Sequence, residues 1–102
     1  QHLRAWAGLR GHRESLHYWR TRSGAEVDFV VYGEDTFVAL EVKNTRHIQS
    51  ADLRGLRAFQ EDYPQARCVA LHRGEDATVQ HGIPCLPIEP YLQSIHPDHA
   101  LP

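Results

Sequence analysis

The segment GAEVDFVVYGEDTFVALEVKN, residues 24–44, holds two runs in which apolar and polar residues alternate, separated by the turn-forming sequence GEDT. Alternation with a period of two is typical of strands that bury one face. The segment therefore predicts two antiparallel strands joined as a hairpin. A charged pair interrupts each run, Glu26 with Asp28 in the first and Glu41 with Lys43 in the second.

The register of this hairpin can be predicted from the faces on which its odd-numbered and even-numbered residues lie. One face of each strand is apolar, formed by Val27, Phe29 and Val31 on the first strand and by Val38, Leu40 and Val42 on the second. Opposed residues of antiparallel strands point to the same side, so both apolar faces are buried together only if paired residue numbers have an odd sum. A four-residue loop, Gly33 to Thr36, satisfies this condition and pairs Tyr32 with Phe37.

This register predicts that four charged side chains meet. Asp28 is set opposite Glu41, and Glu26 opposite Lys43. Two opposed carboxylates repel each other, and a hard divalent cation, Mg²⁺ or Mn²⁺, relieves the repulsion because it prefers carboxylate oxygens. An ion held by Asp28 and Glu41 suits phosphodiester hydrolysis, with Lys43 near the attacking water and Glu26 as an outer acid. The alternative is a solvated strand face with cross-strand ion pairs.

The residues before the hairpin predict a helix and one more strand. The segment HLRAWAGLR, residues 2–10, has helical spacing of apolar residues, and LHYWRTR, residues 16–22, is rich in strand formers. Ser23-Gly24 suits a tight turn. If that turn has two residues, Trp19 lies beside Asp28, and His17 lies beside Val30.

The residues after the hairpin predict a crossover. Ser50 is the expected cap of a helix that ends before Tyr63-Pro64. A buried strand, ARCVALH, follows, and a helical crossover makes it a parallel neighbour of the preceding strand, so the sheet is mixed. Then come a polar loop, the extended segment IPCLPI, helical turns at EPYLQSI, and a frayed tail over residues 96–102.

Bulk properties bound the class of protein. A chain of 102 residues suits one domain spanning residues 1–102. The absence of a long apolar run or a leader pattern predicts a cytoplasmic protein, in which Cys68 and Cys85 are buried free thiols. The net charge of -2 gives no global argument for nucleic acid. Gln1 in place of Met indicates a piece of a longer chain.

The order Asp28 followed by Glu41-x-Lys43 at the end of the next strand resembles the PD-(D/E)xK nuclease superfamily. More closely, three segments resemble the domain of unknown function at the C-terminus of prokaryotic AAA-family ATPases; they are YWRTRSGAEVDFVVYGEDTFVALEVKN, ADLRGLRAFQEDYP and GIPCLPIEPYL. The resemblance implies an α/β, restriction-endonuclease-like fold with an αβββαβ core, a mixed central sheet flanked by helices.

The same resemblance implies roles for individual residues. Asp28 and Glu41 become ligands of Mg²⁺ or Mn²⁺, Lys43 the catalytic lysine, and Glu26 an associated acid. The implied function is metal-dependent cleavage or binding of nucleic acid, as the C-terminal module of an ATPase that precedes it in the full chain. No Gly-x-x-x-x-Gly-Lys phosphate loop occurs here, so we expect no ATP site in this chain.

The sequence also allows a second function, that of a non-catalytic module that binds DNA or a protein, or regulates the ATPase. The question of catalysis therefore stays open. The absence of acids from residues 2–10, where the superfamily often has one, favours it. In either case Arg46, Arg54 and Arg57 are candidate phosphate contacts and Trp19 a candidate for stacking on bases. The alternatives are ordinary surface charges and a core tryptophan.

Overall fold

A mixed β-sheet runs through the protein in a computed structural model, which describes residues 14–20, 26–33 and 36–95. Its strands are β1 (Glu14–Arg20), β2 (Glu26–Gly33), β3 (Phe37–Val42), β4 (Arg67–His72), β5 (Thr78–Gln80) and β6 (Ile83–Pro87). They lie in the order β1-β2-β3-β4-β6-β5. The β3–β4 and β4–β6 pairs are parallel and the other neighbours antiparallel. The prediction of a mixed sheet is confirmed, and the fold is α/β.

Two helices lie in the described part of the chain, α1 (Arg54–Asp62) and α2 (Ile88–Gln93). A 3-10 turn, Ser50–Leu53, leads into α1, which ends before Tyr63-Pro64 as predicted. Neither described helix is long and apolar enough to cross a membrane.

The prediction that Ser50 caps this helical segment is wrong. The cap is Gln49, whose backbone N–H donates to the Asp52 carboxylate at 2.9 Å, in a capping box. The Ser50 hydroxyl instead lies 2.9 Å from Nε2 of His81. A side-chain partner from another part of the fold thus replaces the local capping bond that the sequence suggested.

The two helices cover opposite faces of the sheet. The cluster on the α1 side comprises Val27, Val30, Ala39, Ile48, Leu53, Leu56, Phe59, Ala66, Cys68, Ala70, Ile83 and Cys85. The smaller cluster includes Tyr91 of α2 and is formed by Val31, Val38, Leu40, Val69, Leu71 and Tyr91. Cys68 and Cys85 are buried and free, as predicted. Burial raises the pKa of the Cys68 thiol to about 11, so this thiol stays protonated at neutral pH.

The predicted β2–β3 register is confirmed. Tyr32 pairs with Phe37, and the ladder continues to the pair of Phe29 with Leu40. The N–H of Gly33 donates to the carbonyl of Thr36 at 2.8 Å, which closes the loop between the two strands. The odd-sum pairing therefore holds over the upper part of the hairpin.

A β-bulge changes the lower part of β2. His17 pairs with Val30 as predicted, but Trp19 pairs with Val27 and not with Asp28, so β2 has one extra residue between these pairs. Beyond the bulge the faces exchange, and Val27 joins Val30 in the α1-side cluster. The prediction that Val27 shares a face with Phe29 and Val31 is wrong for this reason.

The segment predicted as a polar loop contains β5, the edge strand beside β6. The sequence of β5 has no strand-like alternation, because Val79 is its sole apolar side chain and is exposed. The hairpin turns at His81 and Gly82, whose φ angles are 52° and 75°. Gln80 anchors it by donating from Nε2 to the carbonyl of Ile48 at 2.7 Å. The predicted helix over residues 2–10, the Ser23-Gly24 turn and the tail lie outside the described residues.

Gly55 brings α1 against the start of β2. A Cβ at this position would overlap the backbone carbonyl of Glu26. A glycine inside a helix costs about 1 kcal/mol relative to alanine. The close approach of the two backbones explains why the sequence has glycine here, and it holds the first turn of α1 next to the charged end of the hairpin.

We therefore predict that Gly55→Ala destabilises the protein by about 1 to 2 kcal/mol, since an overpacking cost of about 1 to 3 kcal/mol outweighs the gain in helix propensity. Urea unfolding followed by circular dichroism measures the change. Gln60→Ala, in the same helix, is the control and should change stability far less. An increase in stability for Gly55→Ala would contradict the packing described.

Candidate active site

The carboxylates of Asp28 and Glu41 meet where the β2–β3 ladder ends. Asp28 lies in the bulged part of β2, next to the last paired residue, Phe29. Its Oδ2 accepts a hydrogen bond of 3.0 Å from the backbone N–H of Val42. The carboxylate thus takes the place of a backbone carbonyl from β2. A further hydrogen bond joins the side chains of Asp28 and Glu41.

Glu41 is a buried acid in the centre of the sheet. It is 5% exposed, on β3 between the β2 and β4 strands. Burial is the main reason that the pKa of Glu41 rises from 4.5 to about 8, and the hydrogen bond and charge of Asp28 add to it. Lys43 opposes this rise. At neutral pH and without a cation, Glu41 therefore keeps its proton.

Lys43 stands on the solvent side of this pair. It directly follows β3, and its backbone N–H donates to the carbonyl of Leu71 at 2.9 Å, so its backbone is fixed by β4. Its Nζ lies 3.9 Å from Oε1 of Glu41, and the lysine side chain is 36% exposed against 7% for Glu41. The ammonium group can therefore contact both the buried acid and a bound molecule.

Glu26 lies at the margin of the site. The ladder between β2 and β3 ends at the pair of Phe29 with Leu40, so the predicted pairing of Glu26 with Lys43 is not formed. On the other side of β2, Glu26 pairs with Arg20 of β1. Its carboxylate accepts a hydrogen bond from the hydroxyl of Tyr18. Its charge has the smallest of the effects that raise the pKa of Glu41. Tyr18, which holds Glu26, was missed from the sequence because only the bulge brings the two together.

The candidate nucleic-acid contacts are spread over the fold. Arg46 is exposed in the loop after Lys43, close to the carboxylates along the chain. Arg54 and Arg57 are exposed on α1. Gly55 faces β2, and a helix turns by about 100° per residue, so Arg57 projects from another side of α1. Arg57 lies in a shallow hollow with Gln60, Glu61 and His81.

Trp19 lies in an aromatic groove, in contact with α1. Its ring meets the edge of Phe59 with 5.1 Å between ring centroids. The groove has a volume of about 420 Å³ and is also lined by Tyr32, Phe37 and Tyr63. Trp19 is half-buried, so it both extends the core and borders an open surface.

The chemistry of the donor set decides which ion could fit. No group of three or more Cys, His, Asp or Glu side chains is placed to hold a metal among the residues described. The pair of Asp28 and Glu41 supplies carboxylate oxygens. Mg²⁺ usually keeps several waters and binds through one or two carboxylates together with substrate phosphates. The pair therefore fits Mg²⁺ or the similar Mn²⁺, and it lacks the nitrogen and sulfur donors of a structural zinc site.

Comparison with known proteins gives one match. The family model described as Domain of unknown function (DUF4143) matches residues 1–91, which include every residue of the site. No curated protein and no solved structure matches the chain.

The raised pKa of Glu41 predicts how the metal-free protein responds to pH. Unfolded Glu41 loses its proton near 4.5, whereas folded Glu41 keeps it until about pH 8. The folded state therefore binds more protons in this window, and the stabilisation present below pH 4.5 is lost as the pH rises through 8. The expected decline in the free energy of unfolding is at most about 1.4 kcal/mol per pH unit.

Glu41→Gln isolates this effect, because glutamine resembles the protonated acid and does not titrate. Denaturant unfolding of both proteins at pH 5, 6, 7 and 8 should show the variant gaining on the wild type as the pH rises. A difference in stability that stays constant across these pH values would show that Glu41 titrates normally.

Proposed function

The chain belongs to the DUF4143 family, described as a domain of unknown function, and from the geometry of its site we propose that it is a metal-dependent nuclease. One observation carries the proposal: a buried glutamate in hydrogen-bond contact with an aspartate, with a lysine 3.9 Å away at the solvent side. Buried, hydrogen-bonded acids with strongly raised pKa values cluster at functional sites, because catalysis and metal binding need pKa values matched to their task.

Each residue of the site has a role in this proposal. Asp28 and Glu41 would hold Mg²⁺ or Mn²⁺, with Glu41 in its ionised form, since ligands of a metal ion must be deprotonated. The bound ion would supply Lewis-acid activation of a scissile phosphate and of water. Lys43 orients the attacking water or neutralises the charge that develops on the phosphate. Glu26, held by Tyr18, adds negative potential at the edge of the site.

The backbone prepares this arrangement before a substrate binds. The N–H of Val42 fixes the orientation of the Asp28 carboxylate, and β4 fixes the backbone of Lys43. Rigid supports of this kind lower the reorganisation needed in the transition state. The restriction-endonuclease-like form of the α/β fold belongs to the same proposal, as does the role of this domain as the C-terminal module of an AAA-family ATPase.

A non-catalytic binding module is the second candidate. One observation favours it: two carboxylates are all that the described residues bring together at the site, with no third ligand beside them. Such a module would use the same surface to bind nucleic acid or a protein, or to regulate the ATPase, without hydrolysis. Metal binding and cleavage therefore need separate tests.

For metal binding, we predict that millimolar Mn²⁺ raises the unfolding temperature at pH 7.5 and that Asp28→Asn and Glu41→Gln each remove the rise, because a ligand of the folded state stabilises it. The shift should shrink toward pH 5, since Glu41 must lose its proton to bind. Differential scanning fluorimetry measures it, with Ser94→Ala as a control that retains the shift. An equal shift in all variants would place the ion elsewhere.

For catalysis, we predict that the chain with Mn²⁺ cleaves labelled DNA or RNA, and that Lys43→Ala lowers the rate by at least about 100-fold, the size typical for loss of one transition-state contact. Gel electrophoresis of the products gives the rate. Arg67→Ala, at the opposite end of β4, should cleave at the wild-type rate. Retained Mn²⁺ binding without cleavage by the wild type would favour the non-catalytic module, and equal rates for wild type and Lys43→Ala would remove the proposed role of Lys43.

A further inference from the structure

Two loops at the carboxyl ends of the parallel strands β3 and β4 are fastened to each other beside the carboxylate pair. The first spans residues 44–47 and the second residues 73–75. The backbone N–H of Arg73 donates to the carbonyl of Thr45 at 2.7 Å. Because parallel strands end at the same edge of a sheet, both loops leave from the edge that carries Lys43. The carboxyl edge of a parallel sheet is where open α/β folds bind their ligands.

Gly74 sets the spacing of the two loops. A Cβ on this residue would overlap the backbone carbonyl of Arg46, so the two backbones touch. The N–H of Gly74 donates to Nδ1 of the buried His72 at 2.9 Å, which fixes the loop to the end of β4. Arg46 and Arg73 are therefore carried by backbones that cannot move far apart.

The side chain of Arg73 is held in place as well. Its Nη1 donates to Oδ1 of Asn44 at 2.8 Å, although both residues are exposed. This bond occupies one of the five N–H donors of the guanidinium group. An arginine that is already ordered loses less entropy when it binds, and its planar fork matches the oxygens of a phosphate.

The charges at this edge form a local pattern that the net charge of -2 conceals. Lys43, Arg46 and Arg73 follow the ends of β3 and β4, whereas the acids Glu75 and Asp76 come after Gly74 along the chain. A phosphate backbone that approached the carboxylates alone would be repelled. The three cations attract it, whereas Glu75 and Glu89, which line the same hollow as Arg73, reduce the attraction on that side.

From this arrangement we infer that Arg73 binds the phosphate backbone of a nucleic acid together with Arg46, next to the bond that the carboxylate site would cleave. Asn44 and Gly74 are positioning residues, which act through Arg73 and Arg46. The inference rests on the proposed function and adds to it a binding surface with Arg73 as its new member. The ligand class is a phosphodiester chain, because two neighbouring arginines beside a phosphodiester-cleaving site suit consecutive phosphates.

Salt dependence of binding tests this inference. A fluorescent single-stranded DNA of about 20 nucleotides is titrated with the chain in EDTA, so that no cleavage occurs. This length exceeds the roughly 4 to 16 nucleotides that known single-strand-binding domains cover. Anisotropy gives the affinity at several salt concentrations between roughly 20 and 200 mM. The slope of log affinity against log salt reports the number of cations that contact phosphates.

Arg73→Ala should reduce the steepness of this slope by about 0.7, the value for one phosphate contact on a single strand. Arg73→Lys should keep the slope and bind more weakly, because it keeps the charge but loses the fork. Asn44→Ala should likewise keep the slope and lower the affinity. Arg67→Ala removes an exposed arginine from the other end of β4 and should match the wild type. Circular dichroism confirms that each variant is folded.

Two results would overturn this inference but leave the proposed nuclease function standing. One is a wild-type slope and affinity in Arg73→Ala while the wild type binds DNA, and the other is an equal loss in Arg67→Ala, which would show that the effect is not local. If Arg73→Ala does not fold, Arg73→Lys with wild-type affinity would have the same meaning. A wild-type chain that binds neither this DNA nor an RNA of the same length at the lowest salt would overturn the proposed function as well.

Discussion

The pairing of Tyr32 with Phe37 is the constraint on which the rest of the molecule depends. A shift of one residue would turn the side chains of β3 to the opposite faces of the sheet relative to β2. The observed register buries Val30 and Ala39 under α1 and places Val31 and Val38 in the cluster on the α2 side. It also fixes which charged residues reach the end of the ladder. Packing on both faces thus determines the neighbours of Glu41.

The bulge in β2 converts this register into a site. In a regular ladder the backbone of Asp28 would pair with that of Glu41 and leave both carboxylates on one flat face. The bulge lies in the pairing of β2 with β1, and beside it the pairing of β2 with β3 also ends. There the Asp28 carboxylate accepts the N–H of Val42. Glu41 stays buried within the sheet and shares a hydrogen bond with Asp28. The irregular geometry of β2 therefore orients the Asp28 side chain toward Glu41. Bulges near functional sites commonly orient side chains in this way.

Sequence patterns predicted much of this arrangement, and the parts they missed share a physical cause. Period-two alternation and parity gave the β2–β3 pairing, and the proline after Tyr63 gave the end of α1. The bulge left no trace in composition, because an extra residue changes faces without changing residue types. For this reason the predicted place of Trp19 beside Asp28 was wrong. β5 was missed because an exposed edge strand buries almost nothing and carries no apolar pattern.

The central claim is that Glu41 is a buried acid whose pKa is raised by burial and by the half-buried Asp28 beside it. Carbon-detected NMR of the Glu41 side-chain carboxyl group, titrated from pH 4 to pH 10 in EDTA, tests it most directly. The structure predicts a midpoint near the pKa of about 8. Asp28→Asn should lower this midpoint, because it removes the neighbouring charge while burial remains. A midpoint in the ordinary range of glutamate, about 4 to 5, that Asp28→Asn leaves unchanged would contradict the account.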